Sequence, residues 1–175
     1  FRIGAVPPGK GEMINYINWQ LNELEKLNVP VLMETEVTPE LVKKEKPDVV
    51  FAATGAEPII PNIPGADRPN VVTAHDVLSG KVNTGNSVVV VGGGCVGAET
   101  ANQLANYLKG VTIIEMLDAI AGDEIVVPRW DLLEDLDRNK VRICTKTTVD
   151  EITDAGVKVS GAVNEVIPCD TVVLA

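Results

Sequence analysis

One stretch constrains the fold more than any other: SVVVVGGGCVGAETANQLANYLKGVTIIE, residues 87–115. Val88, Val89, Val90 and Val91 make an apolar β-branched run, too short for a helix and suited to a strand buried on both faces. Gly92-x-Gly94-x-x-Gly97 follows at once. A helical pattern then places Ala98, Ala101, Ala105 and Leu108 on one face, with Glu99, Asn102, Gln103 and Asn106 elsewhere. Residues 111–114 form a second buried-strand run, closed by Glu115, 18 residues after Gly97. Strand, glycine turn, helix, strand and terminal acid in this register make the fingerprint of a dinucleotide site.

Each position has a physical reason. Gly92 turns the chain sharply off the strand, Gly94 has no side chain to hold a pyrophosphate away from the backbone, and Gly97 lets the helix lie close to the sheet. The free N–H groups of the first helical turn and the positive end of the helix dipole then face the phosphates. The candidate contacts here are Gly92, Gly93, Gly94, Cys95, Val96 and Gly97, with Glu115 and Met116 at the second strand tip. A carboxylate at Glu115 can accept both hydroxyls of an adenosine ribose and repels a 2′-phosphate. No Arg follows in Met116-Leu117-Asp118, so NAD in its reduced form, NADH, is favoured over NADPH.

Bulk properties narrow the class. The chain has 175 residues, 45% of them hydrophobic, with no apolar run of membrane-spanning length, which reads as a soluble globular protein. A net charge of −10 argues against nucleic acid and against an anionic membrane surface as partners, and aromatics at 3% leave no base-stacking platform. Neither property disfavours a dinucleotide held by backbone dipoles. The three cysteines, Cys95, Cys144 and Cys169, form no C-x-x-C, so neither a redox disulfide nor an iron–sulfur site is encoded. They read as small buried residues in a reducing, cytoplasmic setting. Cys95 stands out only because a helix N-terminus stabilises a thiolate. The chain starts at Phe1 without a signal-type stretch and stops at Ala175 inside an apolar run, so both ends read as cut from something longer.

In chain order, Pro7-Pro8-Gly9-Lys10-Gly11 is a loop, and residues 12–27 carry apolar positions 13, 14, 17, 21, 24 and 27 at helical spacing. Residues 29–33 read as a short strand limited by Pro30. Thr38-Pro39-Glu40 opens a brief helix ending before Pro47, and residues 48–53 read as another buried strand. Residues 58–65, rich in proline, read as a stiff connector between domains. A short helix is expected over 73–78, and a loop over 80–86 and again over 118–123. A helix is expected over 128–139 with Trp130, Leu133 and Leu136 on one face, then a strand over 141–144. The period then switches to two through Val149, Ile152, Val157, Val159, Val163 and Ile167, an antiparallel meander, before residues 171–174 rejoin the parallel sheet.

The combined motifs resemble a known family. They are Ala53-Thr54-Gly55 at a strand tip, a Pro-x-x-Pro-x-Ile-Pro-Gly linker, G-x-G-x-x-G-x-E, an acid-ended second strand, the meander, and a closing Asp-Thr-Val-Val-Leu-Ala. The chain is similar over its whole length to the NAD(P)H-binding region of pyridine nucleotide-disulfide oxidoreductases. Pro8-Gly9-Lys10, Ala74-His75-Asp76-Val77-Leu78 and Val111–Met116 resemble most the enoate reductases that include 2,4-dienoyl-CoA reductase. The resemblance implies an α/β fold, a Rossmann-like doubly wound parallel sheet with an antiparallel β-meander insert, flanked by part of a second, FAD-type Rossmann-like domain. It places residues 1–83 in that partial FAD-type domain and linker, and 84–175 in the NAD-binding domain. Hydride would pass from NADH to FAD in the full-length protein. FMN and a four-iron cluster (4Fe-4S) would lie outside this chain, in a flavin barrel, and would serve reduction of an activated C=C bond. Alone, the chain is expected to bind FAD poorly and to turn nothing over. The missing FAD-domain strand leaves a sheet edge that invites homo-oligomers.

By the same resemblance Glu99 lies toward the nicotinamide–flavin contact, and Ala53, Thr54 and Gly55 lie near the dinucleotide sites. The simpler readings are a first-turn acid complementing a helix dipole for Glu99 and a glycine-enabled strand exit for Gly55. His75 reads as a surface residue and 131–137 as a solvated acidic helix face. Two other functions stand beside the flavoprotein reading: a non-catalytic NAD sensor or regulatory domain, and an independent nicotinamide dehydrogenase. The second ranks low because no Tyr-x-x-x-Lys or His/Asp pair is present.

Overall fold

A computed structural model describes residues 1–175, which form two compact units: 1–14 together with 58–175, and 15–57. In the first unit, five parallel strands make the central sheet: β1 (Val71–Thr73), β2 (Ser87–Val91), β3 (Gly110–Ile114), β4 (Arg142–Cys144) and β8 (Thr171–Leu174), in the order β1-β8-β2-β3-β4. β2 pairs with β3 from Ser87↔Gly110 to Val91↔Ile114, and with β8 from Val88↔Thr171 to Val91↔Leu174. The returning strand thus slots in beside the first strand of the fingerprint.

The valine run is continuous because both faces of this sheet are covered. Val88 and Val90 point into a core shared with α3 (Ala74–Leu78), α4 (Cys95–Asn106) and α5 (Val126–Arg138), where Ala98, Ala101, Leu104 and Leu136 are buried. Val89 points the other way, into a core with Ile114, Val172 and Leu174. That second face is roofed by the meander β5 (Thr147–Thr153), β6 (Gly156–Gly161) and β7 (Glu165–Ile167), through Ile152, Val157, Val159 and Ile167. Helices therefore cover one face and the antiparallel sheet the other. A bulge between Val149 and Glu151 explains why the inward-facing Val149 and Ile152 are three residues apart rather than two. The proline-rich connector packs against this roof: Ile63 and Ala66 join its core, and the Ile152 N–H donates to the Pro64 carbonyl at 2.8 Å.

Local signals formed what they announced. Thr73 caps α3 by accepting from the Asp76 N–H at 3.1 Å, and its hydroxyl donates to the Asp76 carboxylate at 2.8 Å. Four details differ from expectation. β1 was not foreseen, since three residues carry too little pattern. α4 stops at Asn106, leaving Leu108 outside it in a left-handed conformation and 95% exposed. Asn102, expected on a polar face, is instead buried and binds α5, its side-chain oxygen accepting from Asn139 at 3.2 Å. On α5 the buried pair is Leu132 and Leu136, four apart on one face, whereas Trp130 is exposed.

The second unit holds most of α1 (Met13–Lys26) and all of α2 (Pro39–Glu45). α2 has the expected start, with the Thr38 hydroxyl accepting from the Leu41 N–H at 3.3 Å and Pro39 in the first turn. The strands expected over 29–33 and 48–53 are not formed, and Val49, Val50 and Phe51 are exposed. A parallel strand exists only through its neighbours, and neither run finds one in this chain.

Two substitutions test the core. A Cβ at residue 97 would overlap the Gly92 carbonyl oxygen, whereas one at residue 11 meets nothing. Gly97→Ala should cost about 2 kcal/mol through overpacking, and Gly11→Ala under about 0.5 kcal/mol, measured by urea unfolding. Leu136→Ala, which empties a fully buried position, should cost about 3 kcal/mol in the same experiment.

Candidate functional site

The glycine turn leaves β2 at Gly92, whose φ of +102° only glycine adopts readily. Its N–H donates to the Ile114 carbonyl at 2.9 Å, so the turn is sewn to the tip of β3. Gly94 is the N-cap of α4 and offers no side chain to the helix start. The N–H groups of Val96 and Gly97 carry no hydrogen bond to the protein, and Val96 is exposed. Two free donors at the positive end of a twelve-residue helix are what an anionic group needs.

Glu115 lies beneath this corner and is only 8% exposed. One carboxylate oxygen accepts from the Gly93 N–H and the other from the Leu117 N–H, each at 2.7 Å. The acid thus braces the turn against the segment after β3, and each oxygen retains a lone pair. A cleft of about 330 Å³ opens at the carboxyl ends of β2, β3 and β8, lined by Gly92, Glu115, Met116, Thr148 and Val149 among others. This is where strand order reverses, β3 lying on one side of β2 and β8 on the other.

Residues 118–123 are irregular, as expected, and fold back over the turn. The Ala121 N–H donates to the Gly93 carbonyl at 2.6 Å, and an Asp123 carboxylate oxygen accepts from the Cys95 N–H at 2.9 Å. Hydrogen bonding from the Cys95 thiol, above all, and from backbone N–H groups holds the Asp123 carboxyl below its ordinary range. Cys95 behaves opposite to the expectation of a stabilised thiolate. Burial, followed by the carboxylates of Asp123 and Glu124, pushes its thiol up to about 12, and its Sγ lies 3.7 Å from Glu124. The helix dipole is outweighed there by two nearby negative charges.

Glu99 falls in the second turn of α4, beyond the reach of a first-turn dipole contact, and is ion-paired with Lys10, 89 residues away in sequence. Lys10 also approaches Glu124 at 4.0 Å. These groups border a second cleft of about 340 Å³ with Asn102 and Pro128. Lys10 and Asp123 were not among the candidates from sequence. The Pro8-Gly9-Lys10 motif was the only signal for the first, and nothing local marked the second. Ala53, Thr54 and Gly55 belong to the unit 15–57, where they are exposed and irregular. The three cysteines are free thiols, and no helix is long and apolar enough to cross a membrane.

Residues 31–175 match the pyridine nucleotide-disulphide oxidoreductase family. The chain is 38% identical over 174 residues to a bilirubin reductase of Mediterraneibacter gnavus, an alignment that covers 99% of this chain and 27% of that protein. It is 38% identical over 163 residues to an NADH oxidase of Thermoanaerobacter brockii, covering 91% and 25%. Among solved structures, a 2-naphthoyl-CoA reductase in complex with 2-naphthoyl-CoA superposes with a TM-score of 0.91 at 31% identity, covering 99% of this chain and 27% of that one. The chain therefore spans about a quarter of the length of these relatives. The chain therefore belongs to the pyridine nucleotide-disulphide oxidoreductase family.

Proposed function

We propose that residues 84–175 are the NADH-binding module of a flavin-dependent oxidoreductase, with residues 1–83 contributing part of its FAD-side domain and linker. The observation that carries this reading is the glycine corner itself. It presents two unbonded N–H groups on α4 beside a cleft at the strand tips, with a buried carboxylate at its base. The Val96 and Gly97 N–H groups would hold the pyrophosphate, backed by Gly94, where a Cβ would meet only the Asp123 carboxylate at 3.7 Å. Glu115 would accept ribose hydroxyls with its remaining lone pairs, and Met116, Thr148 and Val149 would border the adenine end. When bound, NADH would supply a hydride for a flavin. The Lys10–Glu99 pair, whose Glu99 is on the same helix as the phosphate donors, would face the nicotinamide–flavin contact. In the full-length protein the electrons would serve reduction of an activated C=C bond, with FMN and an iron–sulfur cluster outside this chain. The resemblance to enoate reductases and the reductase names of its relatives support that role.

Cofactor choice tests the reading. Carboxylates at Glu115 and Asp118, with no Arg in 116–118, disfavour a 2′-phosphate. NADH should bind at least tenfold more tightly than NADPH, about 1.4 kcal/mol, by calorimetric titration. Glu115→Gln keeps one acceptor but removes the charge, and should weaken NADH and narrow the preference, with the melting temperature followed as a check on folding. Equal affinity of the native chain for both cofactors contradicts the role given to Glu115.

A further inference from the structure

We propose that Asp123 is a built-in rival of the cofactor: its carboxylate occupies the phosphate corner of the free protein and must leave before a pyrophosphate can settle there. The proposal rests on the dinucleotide reading of the corner and adds a residue that sets affinity.

Three observations converge on it. Asp123 reaches across 28 residues of sequence to take the N–H of Cys95, the first residue of α4, next to the free N–H groups of Val96 and Gly97. Its oxygens are also the only atoms near the space that a side chain at Gly94 would fill. An internal anion thus sits on the N–H next to the two donors where an external one is expected, and two anions that close repel strongly. No free cation relieves it. Lys10 is paired with Glu99, and the Arg129 guanidinium donates twice to the Ile120 carbonyl, at 3.0 and 3.2 Å.

The surrounding segment is built to let the carboxylate go. Ile120 and Ala121 are anchored: both are buried, the Ala121 N–H is bonded to Gly93, and Ile120 packs over Gly93, its Cγ2 2.7 Å from where a Cβ would stand there. Beyond Ala121 the backbone closes a turn, the Glu124 N–H donating to the Ala121 carbonyl at 3.2 Å. Gly122 has open space around it, and Asp123 is exposed. A rotation at Gly122 swings the carboxylate off the Cys95 N–H while Ile120 and Ala121 keep the corner closed beneath. Asp123 also gives the first N–H of a helix whose N-cap is glycine the partner that no capping side chain supplies.

The test compares the native chain with Asp123→Asn, whose side-chain oxygen still accepts the Cys95 N–H but carries no charge. Titrations use NADH, ADP-ribose and adenosine, and alkylation of Cys95 by iodoacetamide at pH 8 reports on the corner directly. The expected result is about tenfold tighter NADH and ADP-ribose binding (~1.4 kcal/mol), unchanged adenosine binding and faster Cys95 alkylation. Unchanged or weaker NADH binding in Asp123→Asn overturns the rivalry and leaves the dinucleotide site standing. An equal gain for adenosine also overturns it, because the gain would then not come from phosphate charge. If neither folded protein binds NADH or ADP-ribose, the dinucleotide reading falls, and this proposal with it.

Discussion

The close approach of α4 to the exit of β2 is the contact from which the site follows. The Gly92 carbonyl oxygen occupies the space that a side chain at residue 97 would need, so helix and strand meet backbone to backbone. Any larger residue at 97 would lift the helix from the sheet, and its first turn would no longer project over the strand tips. The same contact lets the small residues Ala98 and Ala101 sink fully into the core against Val88 and Val90. Burial of that face and placement of the helix N-terminus are therefore one packing event, and the site is as rigid as the core beneath it.

Around this frame the electrostatics are almost entirely acidic. Glu115 is buried beneath the turn, Asp123 and Glu124 lie beside its thiol, and Glu99 is held by Lys10. With a net charge of −10, the chain cannot attract phosphates by its overall field. Attraction of a phosphate would have to come from N–H dipoles at short range, which act where the donors point and fade within a turn of the helix. Discrimination would then fall to the carboxylates, since each added phosphate would meet another negative group.

The elements legible in the sequence were those whose signals are local. The valine run, the glycine spacing, the acid after β3, the Thr38 cap and the period-two meander each reside in a few adjacent residues, and each formed. Pairing decided the rest. Residues 48–53 have the composition of a buried strand, yet remain irregular because a strand's hydrogen bonds are made by other segments. Trp130 fits a helical stripe in outline but lies off the face that Leu132 and Leu136 bury. The contacts that shape the site, Asp123 to Cys95 and Lys10 to Glu99, span 28 and 89 residues, and no pattern in either partner announces the other.

The meander ties stability to the site in a further way. It is inserted between β4 and β8, and its first strand begins where the Thr147 N–H donates to the Glu115 backbone carbonyl at 3.0 Å. Thr148 and Val149 then line the cleft while Ile152, three residues on, is buried under the central sheet. The backbone of Glu115 is held from both sides, since its own N–H donates to the Cys144 carbonyl at 2.9 Å. The acid that braces the glycine turn is thus itself braced by the insert. Loosening the roof would release Glu115 as well as expose Val89 and Val172, so the cleft is expected to be lost together with the meander rather than to survive it.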